Sequence, residues 1–184
     1  QLGLGHAVLM AKDLVGDEPF AVILSDDVML NPSGEPVTRQ LIDAHVTHRG
    51  SVIAVQRVDR QDVTRYGILD PLHEEGRLVE IRNLVEKPSV EDAPSDLAVL
   101  GRYVLTPKIF DKLEQTQRGA GGEIQLTDAI QAMMEEQAVY AYEFEGTRYD
   151  AGTTMGWLKA SVELALQRPE LAREFRSYLA GLQL

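Results

Sequence analysis

Cysteine is absent from the 184-residue sequence. That excludes a disulfide framework, a thiolate metal site and a cysteine nucleophile, and it fits a reducing compartment. Positive charge is scarce: 18 Lys and Arg against 29 Asp and Glu leave a formal net charge of -11. This balance argues against general binding to nucleic acid or to a membrane surface. It leaves room for a phosphate-bearing ligand, because local Lys or Arg, backbone N–H groups or a metal ion can supply a positive field. No apolar run approaches membrane-spanning length and no basic-then-apolar pattern opens the chain, so the cytoplasm is the expected location. Internal repeats, low-complexity segments and linkers rich in Gly, Ser or Pro are missing too. An apolar content of 44% suits one globular domain over residues 1–184, ending in a helical segment over 153–184.

What is present begins with Phe20 to Leu24, an apolar run that stops at two adjacent acids, Asp26 and Asp27. An apolar run without alternation predicts a strand buried on both faces. Carboxylates at its carboxyl end would face the crevice where open α/β sheets place ligands. Two neighbouring acids repel, and a cation is the natural way to hold them together. Taken alone, the stretch reads equally as a helix N-cap or a solvated loop. Before it, Gly3-x-Gly5 leads into a predicted helix over His6 to Val15, with Ala7, Val8, Ala11, Leu14 and Val15 on its apolar face. After it, a helix ending at Gly50 and a strand over Ser51 to Val58 continue the alternation of a parallel sheet. His45 and His48 on that helix have no third ligand nearby and read as surface or partly packed residues.

The middle of the chain changes character. Tyr66 to Asp70 and Arg77 to Ile81 predict two strands of an inserted hairpin, closed by Leu84-Val85-Glu86-Lys87-Pro88. A residue before proline avoids the helical region, so Glu86 and Lys87 are expected to be extended and to reach different groups. An ordinary acid and base before a turn is the plainer reading of that pair. Leu97 to Leu105 is a strand interrupted by Gly101, which signals a bulge or a close ligand approach. Thr106-Pro107 predicts a helix N-cap and first turn. A glycine-rich loop over residues 118–122 then leads to a helix with Leu126, Ile130, Met133 and Met134 on one face. Asp150 falls between a strand and a helix. Two helices parted near Pro169 end the chain, the second with a stripe of Leu171, Phe175 and Leu179 suited to packing or dimerisation.

Together these pieces form an ordered set: Gly-Leu-Gly-His-Ala at 3–7, Leu-Ser-Asp-Asp at 24–27, Tyr-Gly-Ile at 66–68 and Val-Glu-Lys-Pro at 85–88. Gly-Arg-Tyr at 101–103, Gly-Glu-Ile-Gln-Leu-Thr-Asp at 122–128 and Asp-Ala-Gly at 150–152 follow. In order and spacing the set resembles the bacterial UTP–glucose-1-phosphate uridylyltransferases, the UDP-glucose pyrophosphorylases of the sugar-nucleotidyltransferase superfamily. The resemblance covers essentially the whole chain, and the 122–128 run is its most specific piece. It implies a Rossmann-like, mixed but mostly parallel sheet flanked by helices, with an inserted β-hairpin and C-terminal helices. It also implies attack of glucose 1-phosphate on UTP to give UDP-glucose and pyrophosphate, in a homo-oligomeric enzyme using Mg²⁺. Asp26 and Asp150 would hold the metal, Asp26 being favoured over Asp27. Lys87 would neutralise the sugar phosphate and Glu86 would accept from glucose hydroxyls. Gly67 and Gly101 would bring backbone against the sugar, and Gly3 and Gly5 against the uracil. Glu123 and Asp128 stay open between helix capping and ligand contact.

Members of that family begin with a strand and a Gly-x-Gly-Thr-Arg loop for the UTP phosphates, followed by a Pro-Lys pair, and this sequence has neither. The expectation is therefore a C-terminal portion of such an enzyme, with little turnover by itself and a bare sheet edge. Competing readings are a sister nucleotidyltransferase using another NTP and a non-catalytic sugar-phosphate-binding module. A phosphoacceptor signalling domain also uses an Asp-Asp pair, but it lacks the hairpin and the helical tail.

Overall fold

A computed structural model describes residues 2–182. Its strands in chain order are β1 (Phe20–Ile23), β2 (Asp27–Leu30), β3 (Ser51–Arg57), β4 (Gly67–Glu75), β5 (Leu78–Glu86), β6 (Leu97–Leu105), β7 (Val139–Glu143) and β8 (Thr147–Asp150). The helices are α1 (Leu4–Leu9), α2 (Lys12–Val15), α3 (Val37–His48), α4 (Lys108–Gln115), α5 (Leu126–Met133), α6 (Thr154–Gln167) and α7 (Pro169–Ala180). They fall into two compact units. One holds the residues up to Ile23 together with Val37–Phe144, and the other holds Leu24–Pro36 together with the residues from Glu145 onward.

The first unit is a six-stranded sheet in the order β1-β6-β3-β7-β5-β4. The sheet is mixed, as expected, but only the β3–β7 pair is parallel; β6 runs antiparallel to both β1 and β3. The expectation of a mostly parallel sheet is corrected here. Alternating helices and strands show that strands return in one direction, not which strands become neighbours. The predicted hairpin is present and longer than expected, with β4 and β5 paired from Gly67–Glu86 to Glu75–Leu78. Strand β1 is an edge strand, half-buried and exposed in alternation, with Ile23 55% exposed, so it is not buried on both faces.

One helical face after another closes on this sheet. Helix α4 buries Ile109, Phe110 and Leu113, and α5 buries Leu126, Ala129, Ile130 and Met133, the 3.6-residue spacing of a helix lying on a core. They join Ile53, Val55, Leu69, Leu97 and Leu105 in one apolar cluster. Each of the larger side chains stabilises the fold by roughly 1.5–3 kcal/mol relative to exposure. Phe20 stacks on Phe110 with ring centroids 5.1 Å apart and ties the edge strand to α4. The single helix expected over 6–15 is instead broken at Met10–Ala11 into α1 and α2, which leaves Leu14 91% exposed. Thr106 does not cap α4; its hydroxyl donates to Gln137 Oε1 at 3.0 Å.

The second unit pairs β2 with β8 antiparallel, Asp27 opposite Asp150, and follows with α6 and α7. Thr153 is the N-cap of α6, its hydroxyl accepting from Gly156 N–H at 3.1 Å. The expected break between the two C-terminal helices is seen, with Pro169 in the first turn of α7. The last two residues of the expected 153–184 segment lie outside the described residues. Among the described residues of this unit, Ala160 is the one buried apolar side chain. None of the described helices is long and apolar enough to cross a membrane.

Candidate active site

In the second unit the backbone turns tightly at Ser25-Asp26, with Asp27 N–H donating to Leu24 C=O at 3.2 Å. Asp26 lies in that turn and is exposed; Asp27 opens β2 and is 6% exposed. Ala151 N–H donates to the Asp26 carbonyl at 2.7 Å, which fastens the turn to the end of β8. A Cβ placed on Gly152 would stand 3.1 Å from Asp150 Oδ1 and 3.2 Å from Asp26 Oδ2, so both carboxylates reach toward the same point and only glycine leaves it clear. Gly156 is more constrained still: a Cβ there would fall 1.9 Å from the Asp150 carbonyl oxygen. The first turn of α6 thus presses on the backbone that carries Asp150.

Asp27 is occupied elsewhere. Its carboxylate pairs with Arg148 Nε, and Arg148 Nη2 lies 3.9 Å from Asp150 Oδ2. A partly buried guanidinium therefore stands between two of the three acids and offsets their repulsion. Asp26 and Asp150 remain as hard oxygen donors around a cleared space. That donor set fits a small divalent cation that takes one or two carboxylates and completes its shell with water and phosphate oxygens. No three His, Asp or Glu among the described residues form a cage of protein ligands.

In the first unit Gly67, Glu86, Lys87, Tyr103, Gln125 and Thr127 are among the residues lining a cavity of about 250 Å³. Sequence positions 4, 65–67, 86–87, 99, 103 and 125–127 thus meet at one place. The expectation that Glu86 and Lys87 point apart is corrected. Lys87 has a left-handed backbone, φ 46°, and its Nζ lies 3.3 Å from Glu86 Oε1. Extended geometry would send neighbouring side chains to opposite faces, and the left-handed residue removes that alternation. Lys87 N–H is held by the Tyr66 carbonyl at 3.0 Å. A non-glycine residue at positive φ before proline is costly and persists only where its surroundings fix it.

Glu86 Oε2 accepts from the Thr127 hydroxyl at 3.2 Å. A Cβ on Gly67 would be 3.2 Å from both Glu86 Oε2 and Thr127 Cγ2, so glycine allows the strand to lie against that carboxylate. Gly101 marks the bulge its position suggested: between Ile53–Tyr103 and Val55–Val99 the β3–β6 register shifts around it. Gly3 and Gly5 approach protein backbone closely, since a Cβ on either would meet Ile124 O at 2.8 or 2.7 Å. Gly5 N–H donates to Ile124 C=O, and Ile124 N–H to Leu2 C=O. The first and sixth motif pieces are thereby docked together. Glu123 is not the N-cap of α5: Gln125 holds that position, without a side-chain bond. Asp128, in the first turn of α5, has its carboxyl pushed up by burial and then by the Glu86 charge. Sequence reasoning passed over Arg148, which had no pattern to mark it, and gave Thr127 no role although it lies inside the most specific motif.

The family described as nucleotidyl transferase matches residues 1–167 of this chain. The chain is 50% identical over 184 residues to a UTP–glucose-1-phosphate uridylyltransferase of Staphylococcus epidermidis, covering 100% of this chain and 63% of that protein. It is 51% identical over 180 residues to the enzyme of that name from Bacillus subtilis, covering 98% and 61%. A UDP-glucose pyrophosphorylase complexed with UDP-glucose superimposes with a TM-score of 0.87 at 41% identity, over 91% of this chain and 64% of that one. A UTP-bound UGPase from Acinetobacter baumannii gives 0.89 at 40% identity, over 99% and 63%. The chain thus spans less than two thirds of the length of these relatives. Nucleotidyltransferases of this kind generally use a divalent metal. The match over residues 1–167 and the whole-chain identity to these relatives together make this chain a member of the nucleotidyl transferase family.

Proposed function

We propose that the chain carries the sugar-phosphate pocket and the metal acids of a UTP–glucose-1-phosphate uridylyltransferase, within one nucleotidyltransferase domain. The observation that carries the reading is the meeting of Gly67, Glu86, Lys87 and Thr127 round one cavity. The substrates are UTP and glucose 1-phosphate and the products UDP-glucose and pyrophosphate, with Mg²⁺ as the metal, in a cytoplasmic homo-oligomer.

A phosphate oxygen of glucose 1-phosphate bonds to the α-phosphorus of UTP. The bond from that phosphorus to the bridging oxygen breaks, and pyrophosphate leaves with the electron pair. Such transfer asks the protein for positioning and charge neutralisation. Lys87 supplies the cation for the sugar phosphate: its side chain is 59% exposed, and a half-exposed pair with Glu86 is worth only about 0–1 kcal/mol. The ammonium can therefore exchange that partner for phosphate at little cost. Glu86, 20% exposed, accepts from glucose hydroxyls in a drier setting. Asp26 and Asp150 would hold Mg²⁺, which supplies charge neutralisation on the phosphate oxygens. Gly3 and Gly5 take the uracil side, and Gly101 the sugar side, of the same reading.

Titration with glucose 1-phosphate and UDP-glucose, alongside pyrophosphate release from UTP, glucose 1-phosphate and Mg²⁺, tests this. Saturable binding of both sugars, weakened roughly tenfold or more by Lys87→Ala as a charged hydrogen bond is lost, is the expected result. Failure of the wild-type chain to bind either sugar overturns the reading.

A further inference from the structure

We infer that Thr127 is a positioning residue that fixes Glu86 for recognition of the sugar, an assignment that rests on the glucose-binding role proposed above. Glu86 is held from two sides, Oε1 near the Lys87 ammonium at 3.3 Å and Oε2 by the Thr127 hydroxyl at 3.2 Å. The two restraints differ in permanence. Once Lys87 turns to a phosphate, Thr127 is the contact left to hold the carboxylate in place. Two further features make that contact matter. Asp128, next along α5, repels Glu86, so an untethered Glu86 would be driven off its position. Gly67 permits the close approach of Glu86 Oε2 and Thr127 Cγ2 to the same strand, so the threonine methyl packs beside that strand while its hydroxyl holds the carboxylate. Thr127 therefore sets where Glu86 presents its lone pairs, and the sugar hydroxyls are read from a fixed point.

Valine at 127 keeps the methyl that packs beside Gly67 and removes only the hydroxyl, whereas serine keeps only the hydroxyl. The experiment is titration of wild type, Thr127→Val and Thr127→Ser with UDP-glucose and with UDP; the ratio of the two affinities isolates the glucose moiety. Thr127→Val is expected to lower that ratio about tenfold, the worth of one hydrogen bond to a charged group, with UDP affinity unchanged and Thr127→Ser close to wild type. An unchanged ratio in Thr127→Val, beside a wild type that binds UDP-glucose more tightly than UDP, overturns the inference and leaves the proposed function standing. Equal loss of UDP and UDP-glucose in both variants also overturns it, because it makes Thr127 a packing residue only. A wild type that gains nothing from the glucose overturns the proposed function itself.

Discussion

The first unit sets Glu86 and Lys87 on a sheet backed by a continuous apolar core, while the second hangs Asp26 and Asp150 on a two-stranded ladder with almost none. The first can tolerate a left-handed lysine because the Tyr66 carbonyl fixes its N–H and the hairpin that carries it buries Ile68, Leu69, Val79 and Leu84 in the core. The second has to obtain its order from polar contacts: the Ala151 hydrogen bond to Asp26, the Asp27–Arg148 pair and the capped start of α6. In the proposed function, sugar recognition would thus rest on packing and metal binding on electrostatics. The two should respond differently to mutation, metal and pH.

The largest expected effect lies on the electrostatic side. In the full-length enzyme of the proposed function, Asp26→Asn or Asp150→Asn should lower uridylyl transfer by roughly a hundredfold or more, since the metal would supply several kcal/mol of transition-state stabilisation. The thermal midpoint without metal should barely move. Pyrophosphate release at saturating Mg²⁺ and binding of Mn²⁺ by paramagnetic resonance check both halves, and wild-type rates would remove either acid from the metal role.

Arg148→Met comes next. It removes the guanidinium paired with Asp27, 6% exposed, and loss of one partner of a buried pair costs about 3–5 kcal/mol. Adding Asp27→Asn should recover much of that, because the buried negative charge is gone. Hydrogen exchange should quicken over residues 24–36 and 145–167 and stay slow in β3 and β6. Uniform quickening would show that the two units do not differ in what holds them.

The smallest effect belongs to Asp128. Burial and Glu86 raise its pKa above the ordinary 3.8. Ionised Asp128 therefore costs stability at every pH above the raised value. That cost fades as pH falls through the raised value and is gone below 3.8, where folded and unfolded chains are both protonated. Asp128→Asn should raise the thermal midpoint slightly at pH 7 and make no difference at pH 3. A midpoint that falls at pH 7 would mean that the charge is used.

These contrasts also explain what could be read in the sequence. Asp26 and Asp150 stood out through the resemblance, since the Asp26 stretch taken alone reads equally as a helix N-cap or a solvated loop; both are in the same unit and face one cleared space. The hairpin, α5 and the break at Pro169 followed from period and punctuation. Strand pairing did not, since helix–strand alternation carries no information on the order of neighbours. The Lys87 backbone ran against a local preference that the sheet overrides. Arg148 was invisible because its importance lies in the register of β2 with β8, which sets Asp27 opposite Asp150, and no single stretch records a register.

The crowding at Gly156 bears on how variants of this chain would be scored. Any side chain there enters the space of the Asp150 carbonyl, so even alanine must shift the backbone beneath a proposed metal ligand. A saturation scan read out through growth would place Gly156 among the least tolerant positions, beside Asp26 and Asp150, although it carries no functional group. Selection on such data alone would nominate it as catalytic. Chemical rescue by raised metal concentration separates the two cases, because it can restore a weakened ligand but cannot make room for a methyl group.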